Sequence, residues 1–414
     1  MRFVHMADIH FDSPFTVLAS KNNLANIRRL EQREAFKKAI EYINREKIPF
    51  LFISGDLYEQ EYIRESTIEY INNLFKTIPE TKIFISPGNH DPFLNNSFYN
   101  NYNWSKNVTI FNEEIKMIEL DDVDIYGYGF TSFYCTDSKV DEIEIKNKNK
   151  INILITHGAL DASKTLDMQY NPINSNKLKK AGFDYVSLGH IHKGNYKNNE
   201  DNFIYPGSLI SFGFDELGEH GILDVEIIKK NSEENNLNKL EIKNNIEKNK
   251  INKIKIKNNS EENKINNLEI KNNLKENNLF NQETNKNISK IKFVKLDKRI
   301  FEEKNIDISE VNSEEELIEM LNEIKVENEK FYKIILNGTS KIEINKNRIC
   351  KLIKTENVLK LKNKTETECD FDKLAKQKSL KGIFIKRMLE KLKNNPEQEE
   401  TIKKAIDIGL KSFE

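Results

Sequence analysis

The sequence predicts an α/β fold built on a largely parallel sheet covered by helices. Short, almost wholly apolar runs alternate with amphipathic stretches through the first hundred residues, and small polar clusters repeatedly follow the apolar runs. Strands separated by helices need crossover connections, which are right-handed and lay the helices against the sheet. Strands covered on both faces lose the apolar–polar alternation of a half-exposed strand, as the runs here do.

Taken in order, Arg2 to Met6 reads as a buried strand, followed at once by Asp8 and His10. Residues 22–45 carry Leu24, Ile27, Leu30, Phe36, Ala39, Ile40 and Ile43 at helical spacing opposite a charged face. FLFIS (Phe50 to Ser54) is a strand ending in Gly55-Asp56, Arg64 to Phe75 is an amphipathic helix, and KIFIS (Lys82 to Ser86) leads into GNHDP, Gly88 to Pro92. Shorter strands follow in VTIF, IKMIEL and VDIYGYGF. INILITH (Ile151 to His157) and DYVSLGHIH (Asp184 to His192) then each end in histidine. Glycine-punctuated strands running to Ile227 close a core domain expected over residues 1–228.

From 229 to 290 the composition shifts to Asn, Lys, Glu and Ile, without Gly or Pro. NSEENNLNKLEIKNN begins at Asn231 and NSEENKINNLEIKNN at Asn259, 28 residues apart. Two copies suggest a duplication within a tolerant loop, whereas a solenoid needs at least three. Order is expected again at KFVKL (Lys292 to Leu296). A small α/β domain over 291–365 follows, with Ser313 and Glu316 spaced as a capping box. Residues 371–414 read as two helices broken at Asn394 and Pro396, the first basic with an apolar face of Leu380, Ile383, Phe384, Met388 and Leu389.

The 414 residues carry 65 basic and 66 acidic side chains, a net charge of -1, so any nucleic-acid-binding surface must be local. Cys135, Cys350 and Cys369 lie far apart with no CxxC pair, the usage of a reduced, cytoplasmic protein. No apolar run reaches the ~18 residues of a membrane span, and the N-terminus lacks the apolar segment of a cleaved signal.

Five polar clusters end five strand-like runs: Asp8 with His10, Asp56, Asn89 with His90 and Asp91, His157, and His190 with His192. Five of the seven histidines fall in them. His5 and His220 read instead as packing or capping residues, and Asp12 as a loop cap. In extended backbone, residues i and i+2 project to one side, so Asp8/His10 and His190/His192 each offer a pair of ligands. Carboxylate, amide and imidazole together suit Mn²⁺, Fe²⁺ or Zn²⁺, and the lack of clustered thiolates argues against a structural zinc site. Seven ligands suit two ions. Asp56 is the natural bridge, Asp8, His10 and His192 are assigned to one ion, and Asn89, His157 and His190 to the other. Two such ions neutralise the attacking and leaving oxygens of a phosphoryl centre. His90 is left to steady the phosphate and protonate the leaving oxygen, with Asp91 to orient it.

In order and internal spacing, these five motifs resemble those of the calcineurin-like metallophosphoesterases. That resemblance implies a sandwich of two packed sheets flanked by helices. MRFVHMADIH, DYVSLGHIHKG and YPGSLISFGFDELGEHG further resemble the SbcD-type DNA repair exonucleases, bacterial relatives of the Mre nuclease. The narrower resemblance implies a dimanganese phosphodiesterase that cleaves DNA and pairs with an SMC-like ATPase subunit of SbcC type, and a homodimer. It makes His90 the catalytic histidine, with a DNA-facing rim after His192 to which Lys193 would belong. It places a capping domain at 291–365 and an ATPase-docking segment at 371–414. After His10, FDSPF departs from the Leu-Gly step of typical SbcD sequences. The alternatives are a phosphoesterase for a small nucleotide or phosphoprotein, and a protein that chiefly assembles an ATPase.

Overall fold

The structure, a computed structural model, describes residues 1–18, 23–162, 167–197, 201–229, 279–283, 287–325, 327–342, 344–354, 357–367 and 371–413. Both copies of the duplication, from Asn231 and from Asn259, lie outside the described residues, as does Cys369. The chain divides into two compact units, Met1–Phe212 with Glu219–Lys298, and Gly213–Gly218 with Arg299–Glu414.

The first unit is a two-sheet α/β sandwich. Its chain runs β1 (Arg2–Met6), α1 (Leu24–Glu46), β2 (Phe50–Ile53), α2 (Glu65–Lys76), β3 (Lys82–Ile85), α3 (Phe98–Asn101) and β4 (Val108–Ile110). It continues through β5 (Lys116–Glu119), β6 (Val123–Gly127), β7 (Ile151–His157), α4 (Ser175–Ala181), β8 (Tyr185–Gly189), β9 (Phe203–Ile204), β10 (Gly221–Lys229), β11 (Leu279–Glu283) and β12 (Asn287–Lys295). The larger sheet has the order β11-β12-β10-β1-β2-β3-β4, and the smaller β5-β6-β7-β8-β9. β1 to β4 are parallel to one another, and so are β6 to β9. Of the stretch expected as an insert, 279–283 and 287–290 belong to strands that pair antiparallel at the edge of the larger sheet.

Alternate residues build the core because successive strand side chains point to opposite faces. Phe3, Phe52 and Phe84 of the larger sheet meet Ile125, Ile153, Ile155 and Tyr185 of the smaller in one cluster. Tyr126, Leu154, Val186 and Leu188 face the other way, onto Leu178 of α4. Val4, Leu51 and Ile83 are buried on the outer face of the larger sheet, and Phe36 of α1 and Phe75 of α2 are fully buried with their rings 6.0 Å apart. His5 is fully buried between the sheets, its Nδ1 2.9 Å from the Tyr185 hydroxyl and its Nε2 3.2 Å from the Leu188 carbonyl. Asp12 acts as a cap at the start of α2, its Oδ2 accepting from the Arg64 backbone N–H at 3.2 Å and the Thr67 hydroxyl at 2.7 Å.

In the second unit, parallel strands β13 (Ile300–Asp307), β14 (Lys330–Asn337) and β16 (Val358–Asn363) pair in that spatial order, with a two-residue pair of β15 (Thr339–Ser340) and β17 (Glu366–Thr367). Helix Glu314–Glu323 starts at Ser313, whose hydroxyl accepts from the Glu316 N–H at 3.1 Å. The return arm of the expected capping box falls one residue early, because Glu316 accepts from the Asn312 N–H.

The last helices, Leu380–Asn394 and Glu399–Lys411, pack through Ile385, Ile402, Ile406 and Leu410, joined by Phe384, Met388 and Leu389. Leu380 and Ile383, expected on the packed face, are instead exposed. At ~100° per residue they stand roughly opposite Ile385, so the phase of the buried stripe is set by Ile385 and not by the first two apolar residues. Among the described residues no helix is long and apolar enough to cross a membrane.

Candidate metal centre

Parallel pairing aligns the carboxyl ends of β1, β2 and β3 along one sheet and of β7 and β8 along the other, and the two sets meet across the sandwich. Close approach is possible because three positions lack a side chain. A Cβ at Gly189 would collide with the Ser54 carbonyl and the His157 ring, one at Gly55 with the His157 ring, and one at Gly88 with the Asp56 carboxylate.

The expectation that Asp8/His10 and His190/His192 share a side through extended backbone is corrected. Asp8 (φ 52°), His10 (φ 51°), Asp56 (φ 52°) and His190 (φ 106°) all have positive φ. Left-handed backbone costs a non-glycine residue roughly 1–2 kcal/mol, and hydrogen bonds between loops distant in sequence offset it. Ile9 and His10 donate their N–H groups to the Asp56 carbonyl at 2.9 and 2.8 Å. His190 N–H donates to Asp8 Oδ1 at 2.9 Å, and His90 N–H donates to Asp56 Oδ1 at 2.8 Å. One oxygen of each carboxylate thus holds a loop, leaving the other for the centre. Strain concentrated at a site of this kind is a mark of function.

What remains at the centre is a set of acceptors facing acceptors. His10 Nδ1 lies 2.8 Å from Glu59 Oε1, so its proton is held there and the Nε2 lone pair points inward. That Nε2 is 3.1 Å from His192 Nε2 and 3.6 Å from Asp56 Oδ2. His157 donates from Nδ1 to the Ser54 carbonyl at 2.9 Å, and its Nε2 faces Asn89 Oδ1 at 3.0 Å and Asp56 Oδ2 at 3.3 Å. Asp8 Oδ2 is buried with no hydrogen-bond partner among the described residues. Lone pairs repel at these distances unless a cation or a proton lies between them, and an orphaned buried carboxylate oxygen costs several kcal/mol without one.

The electrostatics say the same. Burial works against a charged His157, but Asp56 and Asp8 outweigh it and raise its pKa to about 9. Burial also works against the Asp56 carboxylate, yet His157 and His10 hold its pKa well below the usual range. Burial pushes Asp8 upward, against the opposing pull of His192, His157 and His10. Three overlapping groups have ligand atoms within 4.8 Å of one another: Asp8, His10 and His192; His10, Asp56 and His90; and Asp8, Asp56 and His157. The residues therefore fit divalent cations. His190 belongs to none of these groups, although its ring stands 5.3 Å from that of His157.

His90 sits at the rim, its side chain 45% exposed. The expected partnership with Asp91 is corrected: the His90 Nδ1 lies 2.9 Å from Glu59 Oε2. Asp91 is fully buried and accepts from the N–H groups of Asp56 (3.0 Å), Gly88 (2.6 Å) and Leu57 (2.6 Å) and from the Tyr99 hydroxyl (2.6 Å). It fixes the loops after β2 and β3 to each other. Glu59, three residues past Asp56, spans His10 and His90 with its two oxygens. Sequence reasoning missed it because a lone acid in a loop carries no periodicity or motif of its own.

Comparison with known proteins agrees with this geometry. Residues 1–194 match the family model of the calcineurin-like phosphoesterases. The chain is 27% identical over 237 residues to the uncharacterized metallophosphoesterase YhaO of Bacillus subtilis, a match covering 55% of this chain and 57% of the relative. It is 27% identical over 265 residues to the SbcD component of the nuclease SbcCD of Staphylococcus epidermidis, covering 55% of this chain and 66% of that one. An uncharacterized protein of Acanthamoeba polyphaga mimivirus is 29% identical over 257 residues, 17% of its length. The chain thus spans a little over half the length of the first of these relatives and less than two thirds of the others. On motif order, site geometry and family match together, this chain carries a calcineurin-like phosphoesterase domain over residues 1–194.

Proposed function

We propose that this chain is a divalent-metal-dependent phosphodiesterase that hydrolyses DNA, works with Mn²⁺, and serves as the cytoplasmic nuclease of a complex with an SMC-like ATPase of SbcC type. The observation that carries the hydrolytic reading is the convergence of inward-facing acceptors around Asp56. DNA and the ATPase partner are supported by the likeness to the SbcD component of the nuclease SbcCD. On this reading the second unit supplies the capping domain, the helices from 371 dock the ATPase, and two copies associate.

Asp8, His10 and His192 are assigned to one cation and Asn89, His157 and His190 to the other, with Asp56 facing both. When bound, a pair of divalent ions supplies Lewis-acid activation of water and neutralises charge on the phosphoryl oxygens. The protein does the rest. Ser54 and Glu59 fix the tautomers of His157 and His10 so that each presents a lone pair. Asp91 locks the two loops that carry Asp56 and His90. His90, protonated and held by Glu59, contacts the phosphate and gives its proton to the departing 3′ oxygen.

The test is cleavage of single-stranded and duplex DNA by the purified chain in Mn²⁺, alone and with an SbcC-type ATPase. Chelator-sensitive cleavage is expected, weakening steeply with salt because phosphate contacts dominate affinity. Hydrolysis of a small chromogenic diester without cleavage of either DNA would move the assignment to a small substrate.

A further inference from the structure

Beside the metal centre lies a cavity whose aromatic rings the hydrolytic chemistry does not use. It encloses about 430 Å³, within the range of ligand pockets, and Asn89 and His90 form one end of it. Tyr62, Phe133, Tyr134 and Tyr170 supply rings to its walls. Tyr62 is 53% exposed, Phe133 40% and Tyr134 59%, so these rings are not part of a core. Exposed aromatic clusters of this kind mark binding surfaces.

The rings are held in place and continue into the metal site. Tyr134 stands 6.1 Å from Tyr170, and Tyr170 5.1 Å from the ring of His190. The backbones of these two segments are pinned by Cys135 N–H donating to the Gln169 carbonyl at 2.8 Å and Asn171 N–H donating to the Cys135 carbonyl at 2.6 Å. Gln60 N–H donates to the His90 carbonyl at 2.9 Å, tying the Tyr62 segment to the catalytic loop.

The lining selects the occupant. It includes Glu61 and Glu59, the latter engaged by His10 and His90, and, among the described residues, no Lys or Arg, so away from His90 the lining offers a second phosphate no positive charge. A flat, uncharged ring suits it: the aromatic side chains can stack on its faces, and Ser13 and Gln60 are among the uncharged polar residues of the lining. Resting on the DNA reading above, we propose that this cavity receives the nucleobase adjoining the scissile phosphate. A base stacked and paired within a duplex cannot enter, so the nucleotide cleaved must be unpaired, in a single strand or a frayed end.

The test uses the full chain in Mn²⁺ on single strands that differ only by an abasic residue at the cleaved position. Each strand is assayed with wild type, Tyr134→Ala and Tyr134→Phe, and quenching of 2-aminopurine placed there reports stacking independently of turnover. Loss of the base should lower wild-type kcat/KM roughly tenfold, and Tyr134→Ala should impose a similar loss on the intact strand and none on the abasic one. Tyr134→Phe should restore the rate, and quenching should vanish in Tyr134→Ala alone. Equal cleavage of both strands by wild type, or an equal loss on both in Tyr134→Ala, would overturn the proposal. If Tyr134→Ala does not fold, Tyr62→Ala carries the same comparison. Wild type that cleaves no DNA yet hydrolyses a small diester would instead sink the DNA reading, and the proposal with it.

Discussion

On the proposed mechanism, His90→Ala is expected to lower kcat for phosphodiester hydrolysis by about 10²- to 10⁴-fold, the usual contribution of a positioned proton donor, with metal binding retained. The separation follows from geometry. His90 reaches the centre through its backbone N–H, which holds Asp56 Oδ1 at 2.8 Å and survives truncation of the side chain. Its imidazole points to Glu59 at the open rim. Burial disfavours the imidazolium, but the bond to Glu59 and the nearby Asp56 outweigh it, and the pKa rises to about 9. A group raised in this way is protonated, and competent as an acid, at neutral pH and loses its proton as pH climbs through that value. Steady-state rates across pH with parallel metal analysis decide the matter. Unchanged kcat in His90→Ala would remove His90 from the chemistry, whereas loss of metal in that variant would make it a ligand.

Glu59→Gln should cost about 10- to 100-fold in activity, as removal of a residue that orients a metal-ligating histidine generally does. Its two oxygens act on different residues, one fixing the His10 tautomer and the other supporting charge on His90. The substitution keeps the shape and removes the charge. Metal affinity should therefore fall, and the alkaline limb of the rate profile should move to lower pH because the His90 proton is less strongly held. Measuring both separates the two roles: an unmoved limb with weakened metal binding would confine Glu59 to His10.

Much of this site was legible in the sequence because its parts are short strands that end in candidate ligands. Apolar runs such as FLFIS and INILITH can be read as buried strands, and ligands set just past them are gathered by parallel pairing with no long-range information. The backbone that presents the ligands was not legible. Positive φ at Asp8, His10, Asp56 and His190 is imposed by bonds to distant carbonyls and carboxylates, which local pattern does not encode. Asp91 illustrates the same limit. Adjacent to His90 in sequence, it turns inward because the N–H groups of Asp56, Leu57 and Gly88 need an acceptor in a buried place, and Glu59 from another loop takes the role its position suggested. The last helices failed differently. Apolar residues at Leu380 and Ile383 satisfy a helical pattern, but only packing against Ile402, Ile406 and Leu410 decides which stripe is buried.

The convergent acceptors around Asp56 are proposed to hold a pair of divalent cations. The most direct test is the metal content of the full chain after equilibration with Mn²⁺ and removal of excess ion, read by elemental analysis beside Asp56→Asn. The geometry predicts about two ions per chain, falling to one or none when the shared carboxylate loses its charge. Wild type that saturates at a single ion, or Asp56→Asn that keeps the full complement, would contradict it.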